Sequence, residues 1–156
     1  MKANFGCGLD KRDGYVNCDI RVDVKPDVVF DMETAKFPFR DECFDEVILK
    51  DIIEHMSFRR VEDVLRAVYM CMKSGAKAYI QCPDLEAIAK KIILSGKYDW
   101  HEISYWVYGG QDYPENTHKA GFTIPTLKRL LEKIGFRVLD IKNDGGTNIN
   151  CWVIKP

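Results

Sequence analysis

Two glycines flank a cysteine at Gly6-Cys7-Gly8, where an apolar run breaks off, and a second apolar run through Tyr15 and Val16 stops at Asp19-Ile20. A glycine pair directly after a strand lets the backbone turn sharply and approach a ligand closely, with its N–H groups free to meet it. An acid at the end of the adjacent strand accepts hydrogen bonds from both hydroxyls of a ribose. Ligands of open parallel sheets bind beyond the carboxyl ends of the strands, so a small molecule is expected on this turn.

The elements that must hold these residues are legible as short Val- and Ile-rich runs. They lie at Ala3–Phe5, Tyr15–Ile20, Asp27–Phe30, Asp45–Leu49, Ala76–Gln81, Phe136–Ile141 and Ile149–Ile154, and read as strands. Val61, Val64, Leu65, Val68, Tyr69 and Met72 form one apolar helical stripe, stopped by Gly75. Leu85, Ile88, Ala89, Ile92 and Ile93 form a second, ending near Gly96. Leu127, Leu130, Leu131 and Ile134 form a third, started by Thr123 with Pro125 in its first turn and ended by Gly135. "NDGGT" joins the last two strands as a hairpin. Strands alternating with helices and closing on a hairpin imply an α/β fold, a mostly parallel sheet with one antiparallel strand near an edge.

With 156 residues the chain is the size of one domain, read here as spanning residues 1–156 without repeats or a linker. Its 23 basic and 24 acidic residues leave a formal net charge of −1, so no global field draws it to nucleic acid or anionic lipid. No apolar segment is long enough to span a membrane and the N-terminus lacks a signal pattern, which implies a cytoplasmic protein. Six cysteines, Cys7, Cys18, Cys43, Cys71, Cys82 and Cys151, never form C-x-x-C, and no metal site or disulfide is expected. Residues 97–122, "KYDWHEISYWVYGGQDYPENTHKAGF", form the least regular stretch, and a loop that long reads as a lid or binding segment.

Taken in order, "NFGCG" with "GYVNCDI", "DVVFDMETAKFPFRDECFDEVILKDIIEHM", "MKSGAKAYIQCPDLEAI" and "HKAGFTIPTLKRLLEKIGFRVLDI" resemble a small class I S-adenosylmethionine-dependent methyltransferase across essentially the whole chain. The resemblance implies a Rossmann-like sheet in the order 3-2-1-4-5-7-6 with strand seven antiparallel. It makes Gly6, Cys7 and Gly8 the turn against the methionine and ribose of the cofactor, Asp19 and Ile20 the ribose end, and Asp31 and Met32 the adenine contacts. Lys50 and Asp51 would face the sulfonium. One departure stands out: both first crossovers are shorter than the dozen or more residues that a parallel connection takes. Sheet surface near strands two and three should then be covered by something else, and a homodimer is expected.

Methyl transfer from a sulfonium is an in-line displacement, so the protein mainly aligns the acceptor. A general base helps where the acceptor carries a proton, and His118, Tyr113, Asp84 and His55 are the candidates. Paired glycines at 109 and 110 and another at 121 suggest a hinged flap carrying Tyr113, Asn116 and His118 over the methyl group. Glu54 reads as a first-turn acid of a helix. The acceptor is expected to be a small molecule or an exposed glycan or peptide group. A nicotinamide oxidoreductase would need G-x-G-x-x-G, and Lys11 stands at its last position. A non-catalytic binding protein of the same fold is the other alternative.

Overall fold

The computed structural model describes residues Met1–Pro156. Strands β1 (Lys2–Phe5), β2 (Val16–Asp19), β3 (Val28–Val29), β4 (Phe44–Lys50), β5 (Met72–Pro83), β6 (Arg137–Asn143) and β7 (Asn148–Ile154) form one sheet in the order 3-2-1-4-5-7-6. The first five pair in parallel, and β7 runs antiparallel to both β5 and β6. This is the Rossmann-like α/β sheet expected from the sequence.

Helix α1 (Val61–Cys71) carries the chain from β4 to β5 and buries Val61, Val64, Leu65 and Val68, the face that its apolar spacing dictates. The helix ends at Cys71, earlier than the stripe suggests. Met72 already belongs to β5, and Gly75, at φ +81°, lies inside that long strand and does not stop the helix. Helices α2 (Leu85–Ser95), α3 (Trp100–Tyr108) and α4 (Ile124–Ile134) follow β5. On α2 only Ile88 is buried, and Ala89 and Ile93 face outward, so most of the second stripe is not core. Helix α4 buries Leu127, Leu131 and Ile134 as its spacing requires.

The short crossovers are covered from within. Alternate residues of a strand point to opposite faces of a sheet. On one face Phe5 meets Phe30, Phe37, Phe39 and Phe44 with ring centroids 5.3–6.0 Å apart, an aromatic cluster supplied by β4 (Phe44) and by the segment between β3 and β4. On the other, buried Asn4 and Asn17 bind the irregular segments in place of a helix. Asn4 Nδ2 donates to Asp10 O and to Asn17 Oδ1, which also accepts the Arg12 N–H. Asn17 Nδ2 donates to the Arg12 and Tyr15 carbonyls and to Asp27. Side chains of the same chain thus cover the sheet at β1 and β2, while Val29 on the edge strand β3 remains 49% exposed.

Candidate active site

At the carboxyl end of β1 the chain turns through Gly6 (φ +66°) and Gly8 (φ +50°), a conformation L side chains rarely adopt. A Cβ on Gly6 would also collide with the Ile52 side chain, so this position takes no other residue without rearrangement. Asp19, buried at the end of β2, fixes the turn. Its Oδ2 accepts the Gly8 N–H at 2.7 Å and its Oδ1 accepts the Arg21 N–H at 2.9 Å. The glycine turn and the acid, read separately in the sequence, are thus one hydrogen-bonded unit. The Cys7 thiol is buried, and burial pushes its pKa up, which makes it an inert packing group of the turn.

A first cleft of about 250 Å³ opens beside this unit, lined by Gly6, Asp19, Ile20, Asp31, Met32 and Ile52 among others. Asp31 caps the single turn Met32–Thr34 by accepting the Glu33 N–H at 2.8 Å, which holds its carboxylate at the cleft edge. Met32 is buried against the cleft wall. Lys50 does not line this cleft: its ammonium sits 3.5 Å from Asp10.

A second cleft of about 290 Å³ lies next to it, and His55 lines both. Asp51, Glu54, His118, Tyr105, Trp106 and Asn116 also face the second cleft. Asp51 adopts φ +52° and accepts two hydrogen bonds from Gln81 Nε2, at 2.9 and 3.1 Å. The rings of His55 and His118 meet edge to face with centroids 5.0 Å apart. His55 Nδ1 lies 3.2 Å from the Thr117 carbonyl, which can only accept, so the proton is on Nδ1 and Nε2 keeps a free lone pair. Burial holds both imidazoles below the usual histidine range, helped at His55 by the neighbouring His118. Glu54 is 2% exposed, and burial, with Asp51 nearby, pushes its carboxyl up to about 8.

The other candidates fall elsewhere. Asp84 caps α2 and lies outside both cleft linings: its Oδ1 accepts the N–H groups of Glu86 and Ala87, and its Oδ2 accepts Asn143 Nδ2 at 3.1 Å. Tyr113 lies under the Arg21 guanidinium, 4.2 Å from its ring centroid, at the rim and outside both cleft linings. The segment at 97–122 is not an irregular loop. It contains α3, opened by an Asp99–Glu102 capping box, and a turn at Pro114–Asn116. It is tied down, because the Lys119 and Ala120 N–H groups both donate to the Glu54 carbonyl and the His118 N–H donates to Tyr108 O. Gly109 (φ +82°) lets the backbone of Asn116 and His118 approach closely. Glu54 is the site residue that the sequence reading passed over. Its signal, an acid beside a histidine after the fourth strand, does not disclose that a distant histidine folds onto it.

No family model matches the chain, and no curated protein matches it. Solved structures do. A SAM-dependent methyltransferase from Archaeoglobus fulgidus is 17% identical, with a TM-score of 0.69 over 99% of this chain and 85% of that one. An S-adenosylmethionine-dependent methyltransferase from Mesorhizobium loti is 10% identical, with a TM-score of 0.67 over 99% and 90%. The 1,6-didemethyltoxoflavin-N1-methyltransferase of Burkholderia thailandensis, solved with 1,6-didemethyltoxoflavin and S-adenosylhomocysteine, is 12% identical, with a TM-score of 0.61 over 99% and 70%. The chain has the Rossmann-like fold of these enzymes. No helix is long and apolar enough to cross a membrane.

Proposed function

We propose that the chain transfers a methyl group from S-adenosylmethionine to an acceptor held in the second cleft. The observation that carries this reading is the Asp19-anchored glycine turn at the mouth of one cleft that joins a second through His55. The neighbouring folds, one of them holding S-adenosylhomocysteine, support the same cofactor. In this reading Gly6, Cys7 and Gly8 turn against the methionine and ribose, Asp19 and Ile20 hold the ribose, and Asp31 and Met32 meet the adenine. Asp51 then faces the sulfonium from the acceptor side, while Lys50 supports the turn through Asp10.

The reaction is an in-line displacement: a lone pair on the acceptor attacks the methyl carbon, the carbon–sulfur bond breaks, and its electron pair stays on sulfur as S-adenosylhomocysteine. The protein's share is alignment and exclusion of water, which α3 and the segment after it provide by closing the second cleft. His118 stands on the acceptor side. The acceptor is a small molecule or an exposed glycan or peptide group, since the chain carries no basic surplus for nucleic acid.

Calorimetric titration with S-adenosylhomocysteine tests this reading. One-to-one binding is expected, with NADH failing to compete. His118→Ala should keep that affinity within about twofold, because a residue that meets only the acceptor adds nothing to cofactor binding. Binding of NADH in place of S-adenosylhomocysteine would overturn the proposal.

A further inference from the structure

Glu54, His55 and His118 come from two distant segments of the chain, yet they offer ligand atoms that all lie within 4.8 Å of one another. All three line the second cleft. Glu54 is 98% removed from solvent by its 2% exposure, and its Oε2 has no hydrogen-bond partner. A buried carboxyl in either protonation state needs partners for both oxygens, and a native fold leaves few such groups unmatched. The unmatched oxygen therefore points to a ligand that the protein side chains do not supply.

We infer that Glu54, His55 and His118 bind a divalent first-row transition-metal ion on the wall of the second cleft. Two imidazoles and one carboxylate on one side of an ion are the donor set that such ions accept with positions left open. Bonds of about 2.1 Å put neighbouring ligand atoms roughly 3–3.5 Å apart, so rotations that draw the widest pair together by up to about 1.3–1.8 Å complete the site. The outer partner that orients a ligating histidine is present at His55, which donates from Nδ1 to the Thr117 carbonyl and so leaves Nε2 for the ion. The two N–H bonds from Lys119 and Ala120 to the Glu54 carbonyl fix the segment carrying His118 against the turn carrying Glu54 and His55. Asp51 lines the same cleft.

The open positions face the second cleft, so the ion would take an oxygen donor, a hydroxyl or enol of the acceptor. This last step rests on the methyl-transfer reading; the cation site itself does not. A metal-bound hydroxyl loses its proton to solvent more readily than a free one, and the resulting oxyanion keeps a lone pair for the methyl carbon.

The test uses the full chain, stripped by dialysis against a chelator and titrated with Co²⁺ followed by visible absorption and calorimetry, without cofactor. One Co²⁺ per chain is expected, with d–d bands lacking sulfur charge transfer. Glu54→Gln and His118→Ala should each weaken binding by about 100-fold or more, since losing even an outer partner of a ligand costs roughly 10–100-fold. His118 is only half-buried, so His118→Ala keeps the test open where Glu54→Gln fails to fold by circular dichroism. His101→Ala, which removes an exposed histidine on α3, should leave binding unchanged. Absence of stoichiometric binding, affinity that survives in folded His118→Ala, loss in His101→Ala, or sulfur charge-transfer bands would each overturn the site. S-adenosylhomocysteine binding is read separately, so Co²⁺ binding without it leaves the cation site standing and removes the methyltransferase reading.

Discussion

Asp19→Ala separates the two tasks that the structure gives this carboxylate. An ionised carboxylate offers about four lone-pair sites. The Gly8 and Arg21 N–H groups, at 2.7 and 2.9 Å, occupy one on each oxygen, which leaves one on each for two ribose hydroxyls. Hydrogen bonds to a charged group contribute roughly 1.5–3 kcal/mol each. Losing the ribose pair in competition with water should weaken S-adenosylhomocysteine binding by about ten- to thousandfold, or ~1.4–4 kcal/mol. The same change strips two backbone donors of their acceptor at a buried position, which costs about 1–3 kcal/mol apiece before water reaches them. Thermal unfolding and calorimetric titration of one sample therefore report separate quantities. Asp19→Asn keeps the shape but turns one oxygen into a donor that faces a backbone N–H, so it should also lose at least about tenfold in affinity. An unchanged dissociation constant in folded Asp19→Ala, measured well below its unfolding temperature, would refute the reasoning and remove Asp19 from the ligand site.

Three further outcomes follow from the same geometry. Gly6→Ala should destabilise the fold by about 1–2 kcal/mol from its positive φ alone, before any cost of displacing Ile52, and should lower cofactor affinity; a variant as stable as the parent would show that the turn is more yielding than its packing implies. Asp84→Ala should lower stability by about 0.5–2 kcal/mol, the usual worth of an N-cap, while leaving ligand affinity untouched; a selective loss of turnover in the folded variant would return Asp84 to the catalytic candidates. Asn17→Ala should destabilise by ~2–4 kcal/mol as several buried polar partners lose their bonds, and denaturant unfolding that shows no change would mean that the Asn4–Asn17 network does not replace the missing crossover helix.

What was legible in the sequence is what local rules govern. The Val- and Ile-rich runs, the stripes of α1 and α4 and the "NDGGT" hairpin depend on neighbours within one element, and each forms the element its period predicts, although α1 gives Met72 and Gly75 to the following strand. The glycine turn and Asp19 were readable for a similar reason, as they lie at the ends of two adjacent short strands. The helix α3 was missed because Trp100, Tyr105 and Tyr108 face outward, so its apolar residues trace no clean stripe; the Asp99-x-x-Glu102 capping box was the available signal. The short crossovers looked like exposed sheet because the sequence does not disclose that Phe37 and Phe39 fold back onto Phe5, or that Asn17 serves several loop partners at once. The Glu54, His55 and His118 grouping was out of reach for the same reason. It is made by backbone hydrogen bonds between segments far apart in the chain, and no spacing rule records them.

Native mass spectrometry of the purified chain addresses the central claim most directly, because it asks which small molecule occupies the first cleft without requiring a known acceptor. The account predicts an 18.0 kDa chain carrying one S-adenosylmethionine or S-adenosylhomocysteine, either as purified or after incubation, and losing it in Asp19→Ala. A chain that remains bare under a saturating excess of both, or that instead retains a nicotinamide dinucleotide, would contradict it.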